Sequence, residues 1–387
     1  MTSEDKVAGW LEARREAMVE LLRDLVNTDS HTPDKQGVDA VVDQLQKFLE
    51  SEGVATRLDE QQAAGNLLHA DICPRGFNGK PVFLMGHCDT VFPKGEAAKR
   101  PFAISGDRAY GPGVADMKGG LVVNAFVIAA LNAQFPEGVP VRALFTSDEE
   151  IASPVSRHEI ARSTQGALAV FNSEPGRPSG NVTVGRKGGV FMRVDVAGRA
   201  AHSGSHFTHG ISAVEALARK ITELHGLTDL EIGVTVNVGV IRGGLTLNTV
   251  APEASAEFEL RYVDERHRDE YMAKIEQIVA TEHVAGSSAE LTITGEFLPL
   301  VQSEACKALY ETYDAAAGSL GLHFGEEFSG GCSDAGIPSS LGVPTICGTG
   351  PVGGGSHTVE EYIEIDTLLT RAQTLAIAVM RVAASGG

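Results

Sequence analysis

The chain has 387 residues, of which 43% are hydrophobic and 21% are charged, proportions typical of soluble globular proteins. Its net charge of −19 argues against the basic surface that nucleic acids require, and also against general binding to anionic membranes. The length allows two domains, or one large domain with an insertion.

The N-terminal stretch MTSEDKVAGWLEARREAMVELL is charged and amphipathic, and it lacks the basic start, apolar core and cleavage site of a signal peptide. We predict no membrane-spanning segment, because no run of apolar residues approaches the ~18 that a span requires. The cysteines are Cys73, Cys88, Cys306, Cys332 and Cys347. Their scattered positions, without a CxxC spacing, predict free thiols in a reducing compartment. A cytoplasmic protein is therefore expected.

Apolar residues recur at helical spacing near the N-terminus, and short apolar runs then alternate with helical segments. In chain order, we predict helices at 7–26 and 38–49, a strand at 81–87, a helix at 117–135, and strands at 141–147 and 166–172. The strands are continuously apolar rather than alternating, which indicates that both of their faces are covered. This pattern predicts a three-layer α/β/α fold.

The pattern changes between about Gly188 and Pro299. There the predicted order is strand, helix, strand, strand, helix, strand, which is the ferredoxin-like α+β arrangement. Apolar residues alternate along its first strand, as expected of a sheet with one open face. They are Val190, Met192, Val194 and Val196.

After Pro299 the earlier pattern resumes, with a helix at about 303–320, the strand and glycine loop VPTICGTG, and a closing helix EIDTLLTRAQTLAIAVMRV. We therefore predict one catalytic domain, formed by 1–187 and 300–387, that is interrupted by an inserted domain at 188–299.

Five polar clusters lie at the ends of predicted elements, where α/β folds place their functional sites. They are His87 and Asp89 in GHCDTV, Asp116 in GPGVADMKGG, Glu149 and Glu150 in SDEE, Glu174 in FNSEPG, and His357 in GGGSHT. Each cluster also has an ordinary structural explanation when it is taken alone. The alternatives are a hydrogen-bonded pair at a strand end, a helix N-cap at Asp116, a solvated acidic turn and an exposed loop histidine.

Together the clusters supply two histidines, three carboxylates of the metal-ligating kind and one further glutamate. Imidazole and carboxylate ligands suit zinc, cobalt or manganese, and the lack of thiolate ligands argues against a closed structural zinc site. If Asp116 bridges two ions, each ion has two further protein ligands, and the ions lie about 3.5–4 Å apart. The remaining glutamate is then free to act as a general base.

The ordered series GHCDTV, GPGVADMKGG, DEE, SEP and GSHT resembles the M20 family of metallopeptidases, most closely its carboxypeptidase G2-like (glutamate carboxypeptidase) branch. The resemblance covers nearly the whole chain. It implies a dizinc peptidase domain with an inserted ferredoxin-like lid that commonly mediates dimerisation. The ligand assignment that it implies is His87 and Glu174 for one ion, Glu150 and His357 for the other, and Asp116 between them.

The resemblance also implies roles for residues that bind no metal. Glu149 would be the general base, and Asp89 would orient His87. In the lid, GRAAHSG places His202 as the group that stabilises the oxyanion, often across the dimer interface. Asn248 and Arg261 match positions that bind the substrate carboxylate.

The glycines beside His357, namely Gly353, Gly354 and Gly355, would let substrate approach the backbone. The chain departs from the common family pattern at His206 and His209, where we expect an effect on specificity. Cys88 is expected to be a packing residue, and Asp334 in GGCSDAG a structural one rather than a catalytic one.

The predicted protein is a homodimeric hydrolase that uses two divalent ions per chain, zinc in the first place, with manganese or cobalt as alternatives. It would cleave an amide next to a free carboxylate, releasing a C-terminal amino acid such as glutamate from a small peptide or an N-acyl amino acid. The alternative is an acetylornithine- or succinyl-diaminopimelate-type deacylase, or an unusual deaminase. An inactive binding protein is disfavoured because every ligand type and Glu149 are present.

Overall fold

A computed structural model of the chain describes residues 2–385. The chain forms two compact units. The first comprises the described residues up to Gly185, Leu300–Ser329 and the described residues from Ser333 onward, and the second comprises Arg186–Pro299 and Gly330–Cys332.

The described helices are α1 (Ser3–Glu12), α2 (Arg15–Val26), α3 (Lys35–Ser51), α4 (Glu96–Lys99), α5 (Gly120–Gln134), α6 (Arg157–Thr164), α7 (Ala213–His225), α8 (Glu265–Ala280), α9 (Glu304–Ser319), α10 (Gly336–Ser340) and α11 (Ile365–Ser385). The described strands are β1 (Ala55–Asp59), β2 (Leu67–Asp71), β3 (Val82–His87), β4 (Ala103–Ser105), β5 (Arg108–Tyr110), β6 (Val141–Thr146), β7 (Ala169–Asn172), β8 (Val182–Arg186), β9 (Gly188–Ala197), β10 (Thr235–Gly243), β11 (Glu253–Tyr262), β12 (Ser288–Phe297), β13 (Glu326–Ser329), β14 (Thr345–Cys347), β15 (Gly353–Gly354) and β16 (Tyr362–Glu364).

The first unit is built on a sheet with the strand order β1-β2-β6-β3-β7-β14-β8-β13. Its central strands β6, β3, β7 and β14 run parallel. The pairs β1–β2, β2–β6 and β14–β8 are antiparallel. All residues of β3 and β7 are buried, because one core cluster containing α2, α3, α5 and α11 packs on one side and a smaller one containing α6 and α10 packs on the other. The predicted three-layer α/β fold is confirmed.

Helix α5 is the central helix of this core, since every residue from Gly120 to Leu131 is buried. The stretch Val114–Gln134 is long and apolar enough to cross a membrane by length and composition alone, but 94% of its apolar window is buried inside the protein. This stretch is interrupted by polar residues such as Asp116, Lys118 and Asn124, and the absence of a membrane span stays a prediction. In this structure the protein's own core covers the apolar surface of the stretch.

The second unit holds an antiparallel sheet with the order β10-β11-β9-β12. Helices α7 and α8 form a single apolar core together with one face of this sheet. The alternating residues that were predicted to lie on one face of the sheet are buried. They are Val190, Met192, Val194 and Val196. The chain order and sheet order are those of the predicted ferredoxin-like domain.

Lys220 on α7 donates hydrogen bonds to the carbonyls of Ile278, Val279 and Thr281 at the end of α8.

The N-terminal region differs from the prediction of one helix over 7–26. Helix α1 ends at Glu12 and α2 begins at Arg15, because Arg14 adopts a non-helical backbone conformation. The apolar positions of both helices face the same core, so their spacing alone does not reveal the break. Among the described residues, all five cysteines are free thiols, as predicted.

Candidate metal centre

The parallel strands β6, β3 and β7 end side by side, and each is followed by a candidate ligand. His87 is the last residue of β3 and is paired with Thr146, the last residue of β6. Glu149 and Glu150 lie in the turn after β6, and Glu174 follows β7. The carboxyl ends of neighbouring parallel strands thus bring together side chains that are far apart in sequence.

Two groups of ligand atoms meet at this edge, and within residues 2–385 they share one side chain, Asp116. In the first group, His87 Nε2 lies 3.3 Å from Asp116 Oδ1 and 3.7 Å from Glu174 Oε1. In the second, His357 Nε2 lies 3.4 Å from Asp116 Oδ2 and 3.2 Å from Glu150 Oε2. Asp116 therefore offers one oxygen to each group, as a bridging ligand would.

The spacing and the unpaired atoms fit divalent cations. Two ligands bound tetrahedrally at about 2.1 Å from one zinc ion lie about 3.4 Å apart, close to the separations between these atoms. Within the described chain, His87 Nε2 and Glu150 Oε1 are buried and lack a hydrogen-bond partner. A buried polar atom without a partner is costly, and a cation at each group would satisfy them.

The electrostatics of the site also point to cations. Burial alone would lower the pKa of His87, but Asp116 and Asp89 hold that pKa well above its usual value. Hydrogen bonds with Asp116 and Glu150 raise the pKa of His357 to about 10. The histidines in turn keep the pKa of Asp116 low against the effect of its burial. Without metal, protons on the two histidines balance the negative charge of the carboxylates, and metal binding would displace those protons.

Asp89 connects the histidine to the glutamate turn. Its backbone carbonyl lies 3.0 Å and its Oδ1 3.3 Å from His87 Nδ1. Its carboxylate also accepts hydrogen bonds from the backbone N–H groups of Glu149 and Glu150 and from the hydroxyl of Thr32. A histidine that binds metal usually donates a hydrogen bond from its other ring N–H to such an acceptor. The same carboxylate also positions the backbone of both glutamates.

Glu149 is buried beside the ligands, yet within the described chain it belongs to neither group. Its Oε2 lies 3.9 Å from His87 Nε2. Burial raises the pKa of Glu149 well above its usual value; His87 opposes this shift, whereas the charges of Glu174, Asp334 and Glu150 add to it. A buried carboxyl group that lies beside a ligand group without being a member of it is placed to exchange protons with a reacting molecule.

A profile of peptidase family M20/M25/M40 matches residues 83–381. The chain belongs to this family.

The M20 assignment is supported along the whole chain. Carboxypeptidase G2 from Pseudomonas sp. (strain RS-16) is 28% identical over 94% of this chain and 89% of its own length. Succinyl-diaminopimelate desuccinylase from Acidiphilium cryptum (strain JF-5) is 29% identical over 92% of this chain and 95% of its own. The M20 family metallo-carboxypeptidase Sso-CP2 from Sulfolobus solfataricus has a similar fold, with a TM-score of 0.77 at 18% identity, over 95% of this chain and 99% of that one. The predicted M20-type enzyme is confirmed as a peptidase or deacylase of this family.

The segment that carries Asp116 in this M20 enzyme does not form the predicted helix start. Asp116 has the non-helical backbone angles φ −112° and ψ 93°, and α5 begins only at Gly120. The alternative that Asp116 is an N-cap is thereby excluded, since its carboxylate faces the two histidines. Sequence reasoning missed Glu361, whose carboxylate accepts hydrogen bonds from the backbone of this segment. Its only sequence signal is an acidic residue shortly after His357.

The glycines beside His357 have an explanation within the M20 fold itself. Gly353 and Gly354 pair with β16, and a Cβ at Gly353 would lie 2.5 Å from the carbonyl oxygen of Tyr362. Gly355 has φ +70°, and a Cβ there would lie 2.8 Å from the carbonyl oxygen of Glu360. Packing of the loop therefore requires glycine at Gly353 and Gly355. Substrate contact at Gly354 and Gly355 stays a prediction.

The residues that were expected in the lid of an M20 enzyme lie in the second unit. The backbone N–H of Ser203 donates to the carbonyl of Asn248, so the segments carrying His202 and Asn248 are adjacent. His202 Nδ1 accepts hydrogen bonds from the backbone N–H groups of Gly204 (3.1 Å) and Ser205 (3.3 Å). The catalytic role of His202 and the substrate-binding role of Asn248 stay predictions.

Arg261 is held by several partners within the second unit. Its Nε and Nη2 donate to Glu259 Oε2 at 3.1 and 2.8 Å, and its Nη1 donates to the carbonyl of Gly330 and to Cys332 Sγ. A substrate carboxylate would therefore share this guanidinium with Glu259, and that role also stays a prediction.

The other singled-out side chains lie as follows. The rings of His206 and His209 are exposed, with centroids 5.6 Å apart. Cys88 is buried in the core cluster of the first unit. Asp334 is buried and accepts a hydrogen bond from the hydroxyl of Ser153 at 2.6 Å. The packing role of Cys88 and the structural role of Asp334 stay predictions.

Proposed function

We propose that this M20 enzyme is a two-metal amide hydrolase that releases a carboxylate-bearing amino acid, with glutamate as the first candidate, from a small peptide or an N-acyl amino acid. The observation that carries the proposal is the pair of ligand groups sharing Asp116, with the buried Glu149 beside His87 of the first group and, among the described residues, part of neither.

Two divalent ions, with zinc favoured by the ligand chemistry, would be held by His87, Asp116 and Glu174 and by Asp116, Glu150 and His357. When bound, such ions supply Lewis-acid polarisation of the scissile carbonyl. Asp89 would hold His87, and through two backbone hydrogen bonds it would keep Glu149 and Glu150 in place.

Glu149 would take the proton of the attacking water at its carboxylate and deliver it to the leaving amine. The support for this role is positional, because Glu149 lies 3.9 Å from the ligand nitrogen of His87 and is shielded from solvent. Burial excludes competing water and strengthens the electrostatic interactions of the carboxylate.

His202 would donate a hydrogen bond to the oxygen that becomes negative in the transition state. Because two backbone N–H groups donate to its Nδ1, a neutral ring carries its proton on Nε2, which is then a ready donor. Arg261 and Asn248 would bind the substrate carboxylate. We further propose a cytoplasmic homodimer that associates through the second unit.

A deacylase is the second candidate, favoured by the 29% identity to a succinyl-diaminopimelate desuccinylase over nearly the full length of both chains. Both candidates would cleave an amide beside a carboxylate on the released amine, so they differ in the acyl group and in the side chain of the released amino acid. A panel of substrates can therefore separate them.

The test combines metal analysis with this panel. Gently purified protein is analysed by plasma mass spectrometry, and hydrolysis is measured with added zinc, manganese or cobalt. The panel holds dipeptides and N-acyl amino acids ending in glutamate, aspartate or neutral residues, together with acetylornithine and succinyl-diaminopimelate, and ammonia release is monitored for deamination.

Two ions per chain with cleavage of the peptides and N-acyl amino acids that end in glutamate or aspartate, but not of acetylornithine or succinyl-diaminopimelate, would support the proposal. Cleavage of the last two compounds alone would identify the deacylase. Failure to bind metal under any supplementation would overturn both candidates.

A further inference from the structure

Glu361 is a buried carboxylate whose two oxygens both face the backbone. Its Oε1 accepts hydrogen bonds from the N–H groups of Ala115 and Asp116, both at 2.9 Å, and its Oε2 accepts one from Gly113 at 3.0 Å. The side chain is completely shielded from solvent. In the described chain Glu361 belongs to neither ligand group, so its interactions serve the segment that carries Asp116.

The N–H groups at the start of this segment have no preceding helical turn to accept their hydrogen bonds. Gly113 has φ +73°, and Asp116 is non-helical. Between Gly113 and Asp116, the N–H group of Val114 donates to the carbonyl of Gly111. The other three N–H groups of this stretch donate to Glu361. Because Asp116 is the ligand common to both groups, the backbone that aims its two oxygens depends on a single side chain.

Glu361 also belongs to the segment that carries the other histidine. It follows His357 by four residues and directly precedes β16. Its three hydrogen bonds therefore join the His357 segment to the Asp116 segment across about 245 residues of sequence. A shift of Glu361 would move Asp116 and His357 relative to each other, and these are two of the three ligands in the second group.

We propose that Glu361 is a positioning residue of the dinuclear centre, whose carboxylate holds Asp116 between the two ligand groups and thereby sets the affinity for the ion at Asp116, Glu150 and His357. This inference rests on the proposed two-metal function. It adds a residue that contacts neither the ions nor the substrate.

The test is Glu361→Gln, which preserves volume but replaces one acceptor oxygen with an NH₂ group that cannot accept. Whichever way the amide turns, at least one of the three backbone N–H groups loses its acceptor. The matched control is Glu360→Gln, because Glu360 is the exposed neighbour and its substitution makes the same change of charge.

Zinc and cobalt affinities are measured by competition with a chelator, and the rise in melting temperature on adding metal is measured against the metal-free protein. We expect wild type and Glu360→Gln to bind two ions. Glu361→Gln should bind one of them about 10–100-fold more weakly and gain less thermal stabilisation from metal. A purely structural role would lower the melting temperature of the metal-free protein and leave the gain from metal unchanged.

Equal affinities and equal metal-induced stabilisation in all three proteins would overturn the inference while leaving the proposed function intact. Absence of metal binding by the wild type would instead overturn the proposed function. If Glu361→Gln does not fold, Glu361→Asp replaces it. This variant keeps the charge on a shorter side chain, and the same weakened affinity for one ion is expected, with wild-type affinity contradicting the inference.

Discussion

The substitution Asp89→Asn tests how the site is held together. The carboxylate of Asp89 accepts hydrogen bonds from Thr32, Glu149 and Glu150 and lies beside His87. An asparagine has one acceptor oxygen and one NH₂ group, so either orientation leaves one of the two glutamate N–H groups facing a donor. His87 keeps the backbone carbonyl of residue 89 as a partner at 3.0 Å.

The magnitude follows from these contacts. One buried N–H group without an acceptor costs about 1–3 kcal/mol, and loss of a group that orients a metal ligand typically weakens metal binding about 10–100-fold, or roughly 1.4–2.7 kcal/mol. We therefore expect Asp89→Asn to lower the unfolding free energy of the metal-free protein by about 1–3 kcal/mol. We also expect it to weaken metal binding by one to two orders of magnitude.

Metal affinity is measured by chelator competition, and stability by urea unfolding of the metal-free protein. The matched control is Asp71→Asn, because Asp71 makes a partly exposed ion pair with Arg142 in the same unit. Wild-type metal affinity in Asp89→Asn, with or without a change in stability, would refute the reasoning that this carboxylate positions the ligands.

The remaining predictions concern separate parts of the chain. Glu149→Gln should retain both ions and lower kcat by about 10²–10⁴-fold, whereas Glu150→Gln should lose metal; the reverse pattern in metal analysis would mean that the two roles are exchanged. His202→Gln should reduce kcat with unchanged metal content, and a fully active variant would remove His202 from the mechanism. Lys220→Met should lower the unfolding free energy by about 2–3 kcal/mol, since three carbonyls at the end of α8 lose a charged donor. Lys274→Met serves as its control in urea unfolding, because Lys274 lies on α8 with a partly exposed side chain that pairs with Glu270. Equal stabilities of the two variants would contradict this account.

The central strands and their polar ends could be predicted because burial on both faces leaves a continuous apolar run. His87 and Glu174 follow such runs directly, and the parallel register of β3 with β6 and β7 then brings the ends together. The alternating pattern of β9 similarly predicts a sheet with one covered face. In both cases the signal is local, so it can be read from a short stretch of sequence.

Other features depend on non-local contacts and leave little local signal. Strand β1 is a partly exposed edge strand with the sequence ATRLD, and β15 has only two residues. The irregular backbone at Asp116 depends on Glu361, which is distant in sequence, so a helix start was the natural prediction. Glu361 itself stands in a pair of adjacent glutamates that resembles a solvated turn.

The long sequence separation within the ligand set has a consequence for biosynthesis. The candidate ligands run from His87 to His357, and the second group is incomplete until the segment carrying His357 has been made and has joined the sheet. The second unit, whose strands and helices lie between Arg186 and Pro299, has its own core and can fold earlier on the ribosome. A nascent or truncated chain thus contains most of its strands but lacks the complete candidate centre, so the proposed hydrolysis can begin only once synthesis of the ligand set is complete.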